Sequence, residues 1–148
     1  MLFKKIAFLL VLLTLLLSSI THASWVKLSS EELIQQTKLA VIGEFIGSTS
    51  IVIKADKIEF SAGIIKVEKV ENGITNDEFL LIVLRRKGAP RISTDINYSK
   101  GQKGLWLLTN YSQDNPTLYS AGHPQRFVSY KNSETLHQLK KLLAKHKL

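Results

Sequence analysis

The sequence predicts a mainly β domain: a small five- or six-stranded Greek-key barrel with a short helix before it and a second helix at the C-terminal end. Three observations carry this. The stretch Ile64–Leu84 holds two β-rich runs, IIKVEKV and EFLLIVL, on either side of a polar loop containing Asn72-Gly73. Further short Val-, Ile- and Leu-rich runs recur along the chain between Gly- and Pro-marked turns, as in a closed all-β domain. A Leu stripe at helical spacing appears only after residue 132.

The central pair is the clearest part. Ile65 and Val67 alternate with Lys66 and Glu68, which predicts a half-buried strand. Phe79–Leu84 is apolar on both faces and suits a strand covered on both sides. Asn-Gly tolerates the positive φ that tight turns demand, so the two runs read as an antiparallel pair.

Before this pair, residues 1–23 divide into a basic start with Lys4 and Lys5, an apolar run from Ile6 to Leu17, and small residues up to Ala23. This three-part pattern predicts a secretory signal peptide cleaved after Ala23, with an uncleaved anchor as the rival reading. The apolar run is short of the ~20 residues that span a bilayer. The remaining residues, 24–148, are of single-domain length. Without Lys4 and Lys5 the 20 Lys and Arg fall to 18, against 12 Asp and Glu, a net +6. That balance suits solubility and at most weak attraction to anionic surfaces. Export makes nucleic acid an improbable partner. With no Cys in the chain, disulfide staples, thiol catalysis and Cys-based metal centres are excluded.

Ser29-Ser30-Glu31-Glu32 has capping-box spacing and predicts a helix over 31–38. Leu39–Ile46 reads as a strand bent or bulged at Gly43. Gly47–Ser50 reads as a flexible loop, Ile51–Ile53 as a second β segment, and 54–61 as irregular or an edge. Ile92–Tyr98 alternates weakly. Leu105–Thr109 reads as a buried strand, with Trp106 in the core. Residues 111–117 read as a polar turn, and Leu118 to Val128 completes the β region. Asn132 or Ser133 caps a helix over 133–147, with Leu136, Leu139, Leu142 and Leu143 on one side. That stripe predicts docking on the domain. Its Lys-rich back allows the alternative of an anionic membrane surface.

The pattern resembles an OB-like Greek-key barrel, and in particular small exported bacterial domains of the netrin-like/TIMP-like OB-fold superfamily. The residues that carry the resemblance are Leu39-Ala40-Val41-Ile42-Gly43-Glu44, then Val67, Val70 and Gly73, then Gly101–Leu108, then Tyr119, Gly122 and Phe127. The resemblance implies a fold more than an activity. TIMP-type inhibition uses an N-terminal Cys against the protease metal, and this chain has none.

No nucleophile elbow, zincin motif or phosphate loop is present, and no cofactor is expected. The sequence therefore predicts an exported, non-catalytic binding or accessory module, with a periplasmic or extracellular protein as partner. The binding candidates are Arg85, Arg86, Lys87 and Arg91 at the exit of the central strand, with Tyr119 and Arg126. Two alternatives stand beside this: a polyanion, glycan or membrane-surface binder, and a hydrolase or metal enzyme built on His123 with a distant carboxylate. Asp56 and Glu59 read as a solvated loop rather than a catalytic pair.

Overall fold

The computed structural model describes residues 25–53, 58–92 and 95–146. The expected signal peptide lies outside the described residues, as does Asp56. Among the described residues no helix is long and apolar enough to cross a membrane.

Helix α1 is Ser30–Gln35. The Ser29 hydroxyl accepts from the Glu32 amide at 3.2 Å, and the Glu32 carboxylate accepts from the Ser29 amide at 2.8 Å, a reciprocal capping box. The helix ends before the expected Lys38. The Lys38 amide already donates to the Leu108 carbonyl at 2.7 Å, so the chain has joined the sheet.

Six strands follow: β1 Leu39–Ile53, β2 Ile58–Asn72, β3 Phe79–Arg86, β4 Lys103–Ser112, β5 Asn115–Ser120 and β6 Phe127–Ser129. Helix α2, Ser133–Lys145, closes the chain, with the Asn132 side chain accepting from the Thr135 amide. The expected pairing of the central runs is present, from Phe60↔Arg86 to Lys66↔Phe79. Gly47–Ser50 is not a loop. Those residues pair with Ile64, Gly63, Ala62 and Ser61, so β1 runs unbroken through them. A neighbouring strand has overridden the low β preference of Gly and Ser. Residues 58–61, expected to be irregular or an edge, open β2 instead. Ile92–Tyr98 forms no strand among its described residues.

Neighbouring strands close a ring in the order β1-β2-β3-β5-β4, with β4 returning to β1 and β6 adding to β4. A closed ring with an odd number of strands cannot alternate direction all the way round, so at least one contact must be parallel. That contact is β3–β5, three residue pairs long, Leu81↔Leu118 to Val83↔Ser120. A parallel contact requires a crossover; here the long link from β3 to β4 and β4 itself provide it.

Period-two alternation on β1 and β4 builds two cores. Leu39, Val41, Phe45, Trp106 and Leu108 point into the ring with Ile65, Leu80 and Ile82. Ala40, Ile42, Leu105 and Leu107 point outward and are covered by Leu33 and Ile34 of α1 and Leu139 and Leu143 of α2. Helix α2 is therefore docked on its own domain. Trp106 is fully buried, and its indole N–H donates to the Gly43 carbonyl at 3.1 Å, which removes the cost of burying that donor. Phe127 and Tyr98 pack on its ring at 4.4 and 4.9 Å between centroids.

Candidate functional site

The inward-facing row of the wall formed by β1, β2 and β3 changes character along its length. Within the ring it is Phe45, Ile65, Leu80 and Ile82. Beyond the ring, where β1 has left β4, the same face carries Ser48, Ser61 and Arg85. The link between β3 and β4 crosses in front of this polar row and plugs the ring with Tyr98. The Tyr98 hydroxyl donates to the Ala121 carbonyl at 3.0 Å, and burial pushes its pKa well above the ordinary value.

Between the wall and the crossing link lies an open cleft of about 260 Å³, into which Ser48, Ser61, Arg85, Arg91 and Asn97 project. A second recess of about 180 Å³ lies on the far side of the same link and is more apolar, with Trp25, Val83, Ile92 and Ala121 in its walls. Concave clefts with a few convergent polar groups are common ligand sites.

The link is braced from within. Asp95 accepts from the Ile92 amide at 3.1 Å and donates its own amide to the Ile92 carbonyl at 3.1 Å. Its carboxylate also lies 3.7 Å from the Arg85 guanidinium. That is a long, single-point contact rather than a bidentate fork, so Arg85 retains donors for another acceptor. Arg91 is exposed and makes no ion pair among the described residues. With Arg85 and Arg91 set against Asp95, the cleft has an excess of one positive charge.

The structure divides the residues singled out from sequence. Arg85 and Arg91 meet in the cleft. Arg86 falls on the opposite face, across from Phe60. Lys87 is tied to Glu59 by a 2.6 Å ion pair and a 2.7 Å backbone bond; this hydrogen bond holds the Glu59 carboxyl below its usual range. Tyr119 is half-buried against the ring interior, and burial raises its pKa. Arg126 is not at the surface. It is 6% exposed, donating to the Leu107 carbonyl at 3.2 Å and the Gln36 side chain at 2.8 Å. It is an internal brace between β4 and the end of α1, and a ligand cannot reach it. Ser48, Ser61, Asp95 and Asn97 were not anticipated. Counting by twos from Ile65 would have placed Ser61 on the inner face; nothing in sequence marks Asp95.

His123 is engaged at both ring nitrogens. Nδ1 accepts from the Gln125 amide at 3.2 Å, which leaves Nε2 as the donor to the Val26 carbonyl at 2.9 Å. Trp25 packs edge-on at 5.2 Å. The ring thereby fastens the lead-in segment to the 3₁₀ turn Pro124–Arg126. Among the described residues no three His, Asp or Glu side chains converge as a metal site would require.

No family model matches the chain, and neither curated proteins nor solved structures give a significant match.

Proposed function

We propose that the protein is an exported, non-catalytic binding module of OB-like architecture that holds an acidic group of a partner protein in the cleft at the mouth of the ring. The OB-like reading is supported by a five-stranded ring closed through one parallel β3–β5 contact and plugged at its open end. The netrin-like/TIMP-like resemblance belongs to the same proposal. The leader-like pattern of residues 1–23 supports export. The engagement of both His123 nitrogens argues against that residue as a general base or metal ligand.

One observation carries the binding reading: the inner row turns from apolar to hydroxyl and guanidinium where the ring opens, leaving Arg85 and Arg91 around an open cleft. Arginine in such a place offers forked donors to a carboxylate. Isothermal titration calorimetry with hexaglutamate, a stand-in for an acidic protein segment, tests it. The protein should bind, Arg91→Ala should weaken binding about tenfold, the size expected for one charged hydrogen bond, and hexalysine should give no heat. Binding unchanged in an Arg85→Ala/Arg91→Ala variant would sink the proposal.

A further inference from the structure

Beyond Phe45, β1 keeps an open edge. Residues 39–44 are paired with β4, and Phe45 exchanges bonds with Gly101 and Gln102. Ile46 bulges out of the ladder, and from Gly47 to Ile53 β1 is bonded to β2 alone among the described residues. Seven residues at a rise of roughly 3.3 Å present about 23 Å of strand edge. Native edges of that length ordinarily carry Lys, Pro or an inward charge that discourages pairing. The segment Phe45–Ile53, FIGSTSIVI, has no charged residue and no proline.

We infer that this edge pairs with the same edge of a second copy, antiparallel about a two-fold axis. Three features favour a copy over another partner strand. First, the strip is neutral in a chain of net charge +8, so two copies can meet here without the repulsion that basic surfaces impose. Second, the two faces of the strip differ. Ser48, Ser50 and Val52 lie on the inner face, and Thr49, Ile51 and Ile53 on the outer. A two-fold axis normal to the sheet sets each face against itself. Paired about residue 50, Ser50 meets Ser50 on the inner face and Thr49 meets Ile51, both β-branched, on the outer. Third, an axis through residue 50 matches Gly47 with Ile53, so the self-paired stretch holds no charged residue. The result is a continuous sheet running β3-β2-β1 into β1-β2-β3 of the copy, with each new hydrogen bond made twice.

The chain has no cysteine, so single-Cys variants report without background. Ser48→Cys, Thr49→Cys and Ser50→Cys are oxidised mildly, with Gln138→Cys on α2 as control. Analytical ultracentrifugation follows the unmodified protein over a hundredfold range of concentration. The mass should rise from that of one chain toward twice that value, and Thr49→Lys/Ser50→Lys should abolish the rise. At least one edge cysteine should cross-link at least tenfold more than the control. A single-chain mass throughout, with edge cysteines no more reactive than the control, overturns the inference and leaves the edge to a different protein. If the double-Lys variant fails to fold, the cysteine series still decides. Because the strip lacks Arg85 and Arg91, loss of pairing and loss of hexaglutamate binding are separately observable.

Discussion

Glu71 at the end of β2 and Lys140 on α2 meet at 3.1 Å, and Lys69 reaches the same carboxylate at 3.1 Å from the other side. Burial alone pushes the Glu71 carboxyl up, but the two lysines prevail and hold it below its ordinary 4.5. A carboxylate with a depressed folded-state pKa adds stability that is full above its unfolded value and is lost as pH falls through the folded one. Glu71→Gln should therefore cost about 0.5–1 kcal/mol at pH 7, in the range for part-exposed pairs. The gap between variant and parent should close as the pH drops below about 4.5. Urea titrations at pH 7 and pH 3 measure both; a gap of equal size at the two pH values would refute the assignment.

Arg126 should matter more than any surface arginine. Burial pulls its pKa below the ordinary value, with Tyr98 partly opposing, so the charge depends on its two acceptors. Arg126→Ala leaves the Leu107 carbonyl and the Gln36 side chain without their donor and should cost about 2–4 kcal/mol. Arg86→Ala, on an exposed position, should stay within about 0.5 kcal/mol. Denaturation midpoints compare the two directly.

Gly104 of β4 pairs with Ser129 of β6 and leaves no room for a side chain. A Cβ there would clash with the Val128 carbonyl and lie within 2.9 Å of the Phe127 ring. Gly104→Ala should cost about 1–3 kcal/mol as an overpacked contact and should broaden or shift amide signals of residues 127–129. Gly88, with φ +79° and open space around it, should lose only about 1 kcal/mol on becoming Ala. Equal effects at the two sites would contradict the close approach.

The docked α2 predicts a large core penalty and no membrane role for its Leu stripe. Leu139→Ala and Leu143→Ala, both at 2% exposure, should each cost about 2–5 kcal/mol. Calorimetric melting checks this. A variant that melts with the parent but no longer sediments with anionic vesicles would restore the membrane reading.

Local pattern was enough for the elements whose signals are short-range. The capping box at Ser29, the inward face of Ile65 and Val67 on a half-buried strand, the return run to Leu84, the buried strand at Trp106 and the Leu stripe of the last helix all follow from spacing and side-chain type. Gly47–Ser50 escaped it because their extended form is imposed by β2, not by their own preferences. Arg126 escaped it because a basic residue reads as solvated until buried acceptors are found for it, and those come from Gln36 and Leu107, far away in sequence.

By itself, then, the sequence determined that residues 24–148 make a mainly β domain bracketed by two helices, and that no cysteine chemistry is available to it. Which of the cations at the exit of β3 face a common space was a tertiary decision. Adjacent Arg85 and Arg86 are alike in sequence, but alternation sends them to opposite faces. Only closure of the ring made one of those faces the wall of a cleft and brought Arg91 and Asp95 across it. The open edge of β1 was decided in the same way: β4 begins only at Lys103, opposite Glu44, leaving β1 beyond Phe45 with one neighbouring strand.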